Sequence, residues 1–89
     1  MAFKPQDLSV IGYANGFTLW HYTTEDAAAD VDTAGYFDAA VDVLRVGDMI
    51  LANVDTGGTM AGGIFLVSSN TGSIVDVDDI TAVGGTDTD

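Results

Sequence analysis

Three short stretches of this chain, FTLWHY (residues 17–22), MILANV (49–54) and IFLVSS (64–69), place large apolar side chains at consecutive positions. In a strand, successive residues point to opposite faces. Phe17 and Leu19 then oppose Trp20 and Tyr22, Ile50 and Val54 oppose Met49 and Leu51, and Phe65 and Val67 oppose Ile64 and Leu66. An antiparallel sheet with one wet face alternates apolar and polar residues; these three stretches do not, so both of their faces need cover. The chain has 89 residues and no cysteine. That is one domain, 1–89, too small for a generous core and without recourse to disulfides or thiolate-held metal. Either the sheet closes into a tight two-layer core, or a second polypeptide covers part of it, oligomerisation being the usual remedy for so small a fold.

The rest of the chain supplies the connections. Residues 1–7 form a short N-terminal arm in which Pro5 ends a strand or starts a helical turn. Asn15-Gly16, flanked by apolar runs, is the strongest local signal for a two-residue type I′ hairpin, with arms at 8–14 and 17–23. A rival reading makes residues 5–14 a short helix ended at Asn15-Gly16; Val10, Ile11 and Tyr13 favour the hairpin. TTEDAAADVDT (23–33) reads as an acidic connector. In AGYFDAAVDVL (34–44), Phe37, Ala40, Val41 and Leu44 recur at helical spacing, which predicts a short helix capped by Thr33, with Asp32 at its start and Arg45 at its end. Gly47-Asp48 is a turn, 49–54 a strand, the glycine-rich DTGGTMAGG (55–63) a loop, 64–69 a strand and Asn70-Thr71-Gly72 a turn. SIVDVDDITAV (73–83) closes the fold with a bend at Asp78-Asp79, and residues 84–89 are a fraying polar tail. The expected class is mostly β (α+β), a small barrel or sandwich of about five strands with one short helix.

Charge narrows the functional classes. Fourteen acidic residues face only Lys4 and Arg45, a net charge of −12. Nucleic-acid backbones and anionic membranes are bound through Lys and Arg, so neither is an expected partner. No run of residues nears the length needed to span a bilayer, and MAFKPQDLSV lacks the layout of a signal peptide, so the expected site of synthesis is the cytoplasm. Nothing in the chain composes a catalytic centre. His21 is the single histidine, there is no GxSxG elbow, and a zinc set is absent. TGGTMAGG lacks the Gly-Lys-Ser/Thr ending of a phosphate-binding loop. DVDTAG (30–35) opens like an EF-hand loop, but Ala34 and Val41 stand at two ligand positions. Asp76, Asp78 and Asp79 would gather a divalent ion only if the chain bends around it; a solvated turn is the plainer reading. The chain is therefore expected to be no enzyme and to use no cofactor.

The blocks ANGFTLWHY (14–22) and GYF…LRVGD (35–48) carry a resemblance. They are similar to small proteins encoded beside the major capsid gene of tailed bacteriophages and prophages, notably those of alphaproteobacteria, and the likeness runs from MAF through DVDDITAV. It implies a virion structural role, foremost a head decoration (cement) protein that sits as a trimer on the outer surface of the shell and clamps major capsid protein subunits. The alternative is a tail or fibre module that binds host-surface glycan through Trp20, Tyr22 and aspartates around a cation. Met1, Phe3 and Lys4 are candidates for reaching an acidic or apolar capsid groove, a disordered arm without a role being the alternative. Trp20 and Tyr22 are candidate contact anchors, with a plain core role as their alternative. No functional motif carries over from the family to particular residues.

Overall fold

The computed structural model describes residues 3–84. Its strands are β1 (Leu8–Ala14), β2 (Phe17–Thr23), β3 (Met49–Val54), β4 (Ala61–Asn70), β5 (Val75–Val77) and β6 (Thr81–Ala82), and its one α-helix is α1 (Ala28–Val31). The expected class, a small mostly-β domain with one short helix, is the one found. The strands number six and pair as an open mixed sheet in the order β1-β2-β3-β4-β5, with β6 also on β4. β2 and β3 run parallel and the other pairs antiparallel.

The hairpin forms as its turn residues dictate. Asn15 and Gly16 both have positive φ, 53° and 83°, the signature of a type I′ turn. Ile11 is the extra residue of a bulge between Val10 and Gly12. β4 begins three residues earlier than expected because Gly62 and Gly63 belong to the strand rather than the loop. Gly63 is glycine for a reason of packing: a Cβ there would lie 2.5 Å from Ile80 Cγ1 and 2.6 Å from the Thr81 carbonyl oxygen. The bend expected at Asp78-Asp79 does not form: beyond Val77, opposite Val67, the chain runs on along the same edge of β4 to Thr81, opposite Ile64, with residues 78–80 only interrupting the strand.

The helix expected over 34–44 is not one. Successive N–H groups reach back three residues, from Tyr36 to Thr33, Asp38 to Gly35, Ala40 to Phe37 and Val41 to Asp38. The result is a run of tight turns around a single 3₁₀ turn at Asp38–Ala40. Gly35 has φ +92°, which breaks an α-helix at its outset, and Asp38, Val41, Asp42 and Val43 are poor helix formers. Side-chain bonds hold the alternative. Asp38 Oδ1 accepts the Val75 N–H, and Asn70 Nδ2 donates to the carbonyls of Val41 and Leu44. Thr33 caps nothing; its hydroxyl donates to the Ala29 carbonyl, and Asp32 sits at the C-terminal end of α1 rather than at a helix start. The burial periodicity nonetheless holds, with Phe37, Ala40 and Leu44 buried and Val41 packed against them.

One hydrophobic core results. Trp20, Tyr22, Ile50, Ala52, Val54, Phe65, Val67, Val75 and Val77 line one face of the sheet, and Val31, Phe37, Ala40 and Leu44 from residues 24–47 close over it. The cover is a belt of turns, and it covers one face only.

Candidate interaction surface

The candidate contact residues of the sequence lie mostly inside. Tyr22 has no exposed surface and Trp20 keeps 9% of its own, so both rings serve the core and neither is presented to a partner or a glycan. Trp20 Nε1 donates to Asp48 Oδ2 at 3.2 Å. Phe3 is half-buried, with its ring centroid 5.4 Å from that of Tyr22 and 5.2 Å from that of Phe37. The arm is therefore docked on its own chain, through Phe3 and a 3₁₀ turn at Pro5–Asp7. The Lys4 backbone N–H donates to the Tyr22 hydroxyl at 3.2 Å. Its residue also lines an open groove of about 380 Å³ with Asp7, Glu25, Asp26 and three threonines. Met1 lies outside the described residues.

Two buried carboxylates organise this side. Asp48 accepts the Thr18 and Arg45 backbone N–H groups and the Trp20 indole N–H, at 3.0–3.2 Å. Asp26 accepts the Tyr36 hydroxyl at 2.6 Å, and that hydroxyl in turn accepts the one of Tyr22 at 2.9 Å. Burial, and then the bond to Asp26, pushes the Tyr36 phenol well above its ordinary range. These groups are fully engaged in holding the cover to the sheet.

The acidic residues do not assemble a cation site. Among the described residues no cluster of three or more carboxylate or imidazole groups is placed to hold a metal ion. Asp78 and Asp79 are exposed and Asp76 half-buried. Asp32 approaches Asp79 instead, and its carboxyl is raised by partial desolvation and then by the charge and hydrogen bond of Asp79. His21 lies on the outward sheet face, with its Nε2 3.5 Å from Asn53 Nδ2.

The surface left open is the outward face of the sheet. Strand register places Leu19 beside Met49 and Met49 beside Leu66, and His21 beside Leu51 and Leu51 beside Ile64. Leu19, Leu51 and Ile64 are half-buried, while Met49 and Leu66 keep 40% and 37% of their surface. Met49, Ile64, Leu66 and Thr81 line a depression of about 310 Å³ with Asp78 and Asp79 at its rim. At the hairpin, Val10 and Tyr13 pair with Trp20 and Thr18 and so share the core side of the sheet rather than its outward face; with Ile11 at the bulge, all three are more than half exposed.

Charge divides the same two sides. Strands β1 to β4 contain no Asp, Glu, Lys or Arg, whereas Glu25, Asp26, Asp30, Asp32, Asp38, Asp42 and Asp48 all belong to the turns that cover the core. Strands β1 to β4 thus present an uncharged, largely apolar face, bordered by Asp78 and Asp79 at its β4 edge, and the cover across the core from it is anionic. Sequence reasoning found the two-faced strands and offered Trp20 and Tyr22 as contact anchors or core; the fold buries both. The absence of charge from all four strands, against acids concentrated in the connector, was the signal for a free face.

No family model matches this chain, and neither curated proteins nor solved structures include a match.

Proposed function

We propose that this chain is a decoration (cement) protein of a tailed-phage virion, bound to the outer surface of the major capsid shell as a homo-oligomer, in the trimeric form that the resemblance implies. The observation that carries this reading is the two-sidedness of the domain. An apolar face whose strands β1 to β4 carry no charge suits a permanent contact, since exposed apolar patches on small domains mark interaction surfaces and interface cores are depleted in charge. The anionic cover suits a surface turned to the medium, and repels the packaged nucleic acid rather than binding it. The fold contributes rigidity and the surface contributes recognition; the role is structural rather than catalytic.

Purified protein mixed with empty shells should co-sediment at a fixed ratio. The double variant Met49→Asp/Leu66→Asp should stay in the supernatant, because two carboxylates would then have to be buried in the contact. Both side chains are substantially exposed, but they are direct cross-strand partners, so the paired aspartates repel and lower the melting temperature; circular dichroism identifies the variant as folded. Undiminished shell binding by the folded variant would remove this face from the reading, and no binding by the parent would remove the reading itself.

A further inference from the structure

The hairpin is built unlike the rest of the sheet. β3 joins β2 only from Leu19 onward, so residues 13–17 reach past the sheet with no third strand beside them. From Ser9 to Ala14 every residue of β1 is exposed, with Val10 at 58%, Ile11 at 53% and Tyr13 at 67%. A two-stranded ribbon is marginal in water without an apolar face to pack on. Among the described residues no strand pairs with the outer edge of β1, and β1 carries neither the charges nor the proline that usually blunt such an edge, only the bulge at Ile11. The hairpin is thus an apolar arm without a neighbour.

Charge decides which neighbour fits. The arm, residues 8–24, contains no Asp, Glu, Lys or Arg in a chain of net charge −12. A cationic partner would be held by the anionic cover, not by the one projection that has no charge to offer. A second copy of the chain meets the opposite constraint. Residues lying at the symmetry axis of a closed assembly approach their own counterparts, and in so acidic a chain an uncharged segment tolerates that best. The other sheet edge fails the test, since Asp76, Asp78 and Asp79 would be brought against themselves. We propose that the β1–β2 arm is the surface through which this chain associates with itself, the arms of neighbouring copies packing Val10, Ile11 and Tyr13 together at the symmetry axis. The outward face of the sheet then stays free for the shell. This inference rests on the self-association in the proposed function and adds its location.

The experiment is light scattering on the whole chain, with two substitutions at Ile11 and one control. The parent should scatter as a multiple of the 9.2 kDa chain mass, and Ile11→Asp should scatter as a single chain at micromolar concentration. Val46→Asp, at a similarly exposed apolar residue of the cover, should keep the parent's mass. Because an aspartate in β1 also weakens the hairpin, Ile11→Cys gives a second reading. It would be the only thiol of the molecule, and mild oxidation should link it into a covalent dimer, while Val46→Cys should not link. A parent of single-chain mass overturns the inference, and shell co-sedimentation then still decides the decoration reading separately. A parent that associates, with Ile11→Asp unchanged, Val46→Asp dissociated, or Ile11→Cys unlinked, overturns the inference and leaves self-association standing.

Discussion

Asp48 is the side chain on which most converges. It is buried, yet it accepts three N–H groups, from β2, from the Trp20 ring and from the turn that precedes β3. It thereby joins the cover to the sheet at the point where parallel strands β2 and β3 begin. Asp48→Ala should leave those donors without acceptors and cost about 3 kcal/mol, read as a shift in the urea midpoint. A second test concerns Tyr36, whose phenol is raised by burial and by Asp26. The folded chain holds this proton where the unfolded chain, with the ordinary value of 10.0, releases it. The contribution is therefore complete below pH 10 and is lost as the pH climbs through the folded-state value. Stability should fall steeply above pH 10, and Tyr36→Phe should flatten that alkaline limb while costing about 2 kcal/mol at pH 7, where Asp26 loses its donor. None of this was legible from residue type. Asp48 reads locally as a turn residue, and its partners Thr18 and Trp20 are about thirty positions away.

Among the elements, the segment from Thr33 to Gly47 shows how a correct pattern yields an incorrect backbone. Phe37, Ala40 and Leu44 were legible as an inward stripe because burial follows side-chain direction. Successive 3₁₀-type turns repeat closely enough to the α period to share that stripe over ten residues. What the pattern did not contain was the competition for hydrogen bonds. Asp38 and Asn70 reach partners across the domain, and Gly35 N–H donates to the Val75 carbonyl. Where side chains offer the backbone other partners, helix loses. Asn70→Ala should free the Val41 and Leu44 carbonyls, lower stability by about 2 kcal/mol, and speed amide exchange over residues 41–46 more than in β3. The hairpin turn, by contrast, was fully legible, because Asn15-Gly16 and its neighbours decide it without tertiary help. The four-residue helix α1 was invisible, being a single turn of alanines and aspartate within an acidic run, too short to nucleate alone.

For the whole molecule, the neutral sheet and the acidic cover are two consequences of one arrangement. Strands that carry apolar residues on both faces were evident in the sequence, but which face the connector would choose depends on contacts no local pattern encodes. The connector chose the face of Trp20 and Tyr22, and brought its carboxylates with it. Seven of them lie between residues 25 and 48 with Arg45 as the one cation among them, and the raised Asp32, facing Asp79, shows the crowding locally. Folding therefore gathers like charge on one side, and the unfolded chain relieves it. Screening should recover that loss. Between 0.01 and 0.15 M salt the Debye length falls from about 30 to about 8 Å, which spans the distances between carboxylates on a domain of this size. The melting temperature should climb by about 5 °C over that interval, equivalent to ~1 kcal/mol for a domain of this length, and level off beyond it. The levelling separates screening from the exclusion of salt from apolar surface, which continues to act at molar concentration. The measurement belongs to the Ile11→Asp chain as well as the parent, so that salt-promoted association does not pass for salt-promoted folding. A melting temperature flat across the low-salt interval in both chains would mean that the acidic side costs the fold nothing. Its concentration opposite the sheet would then lose its energetic meaning.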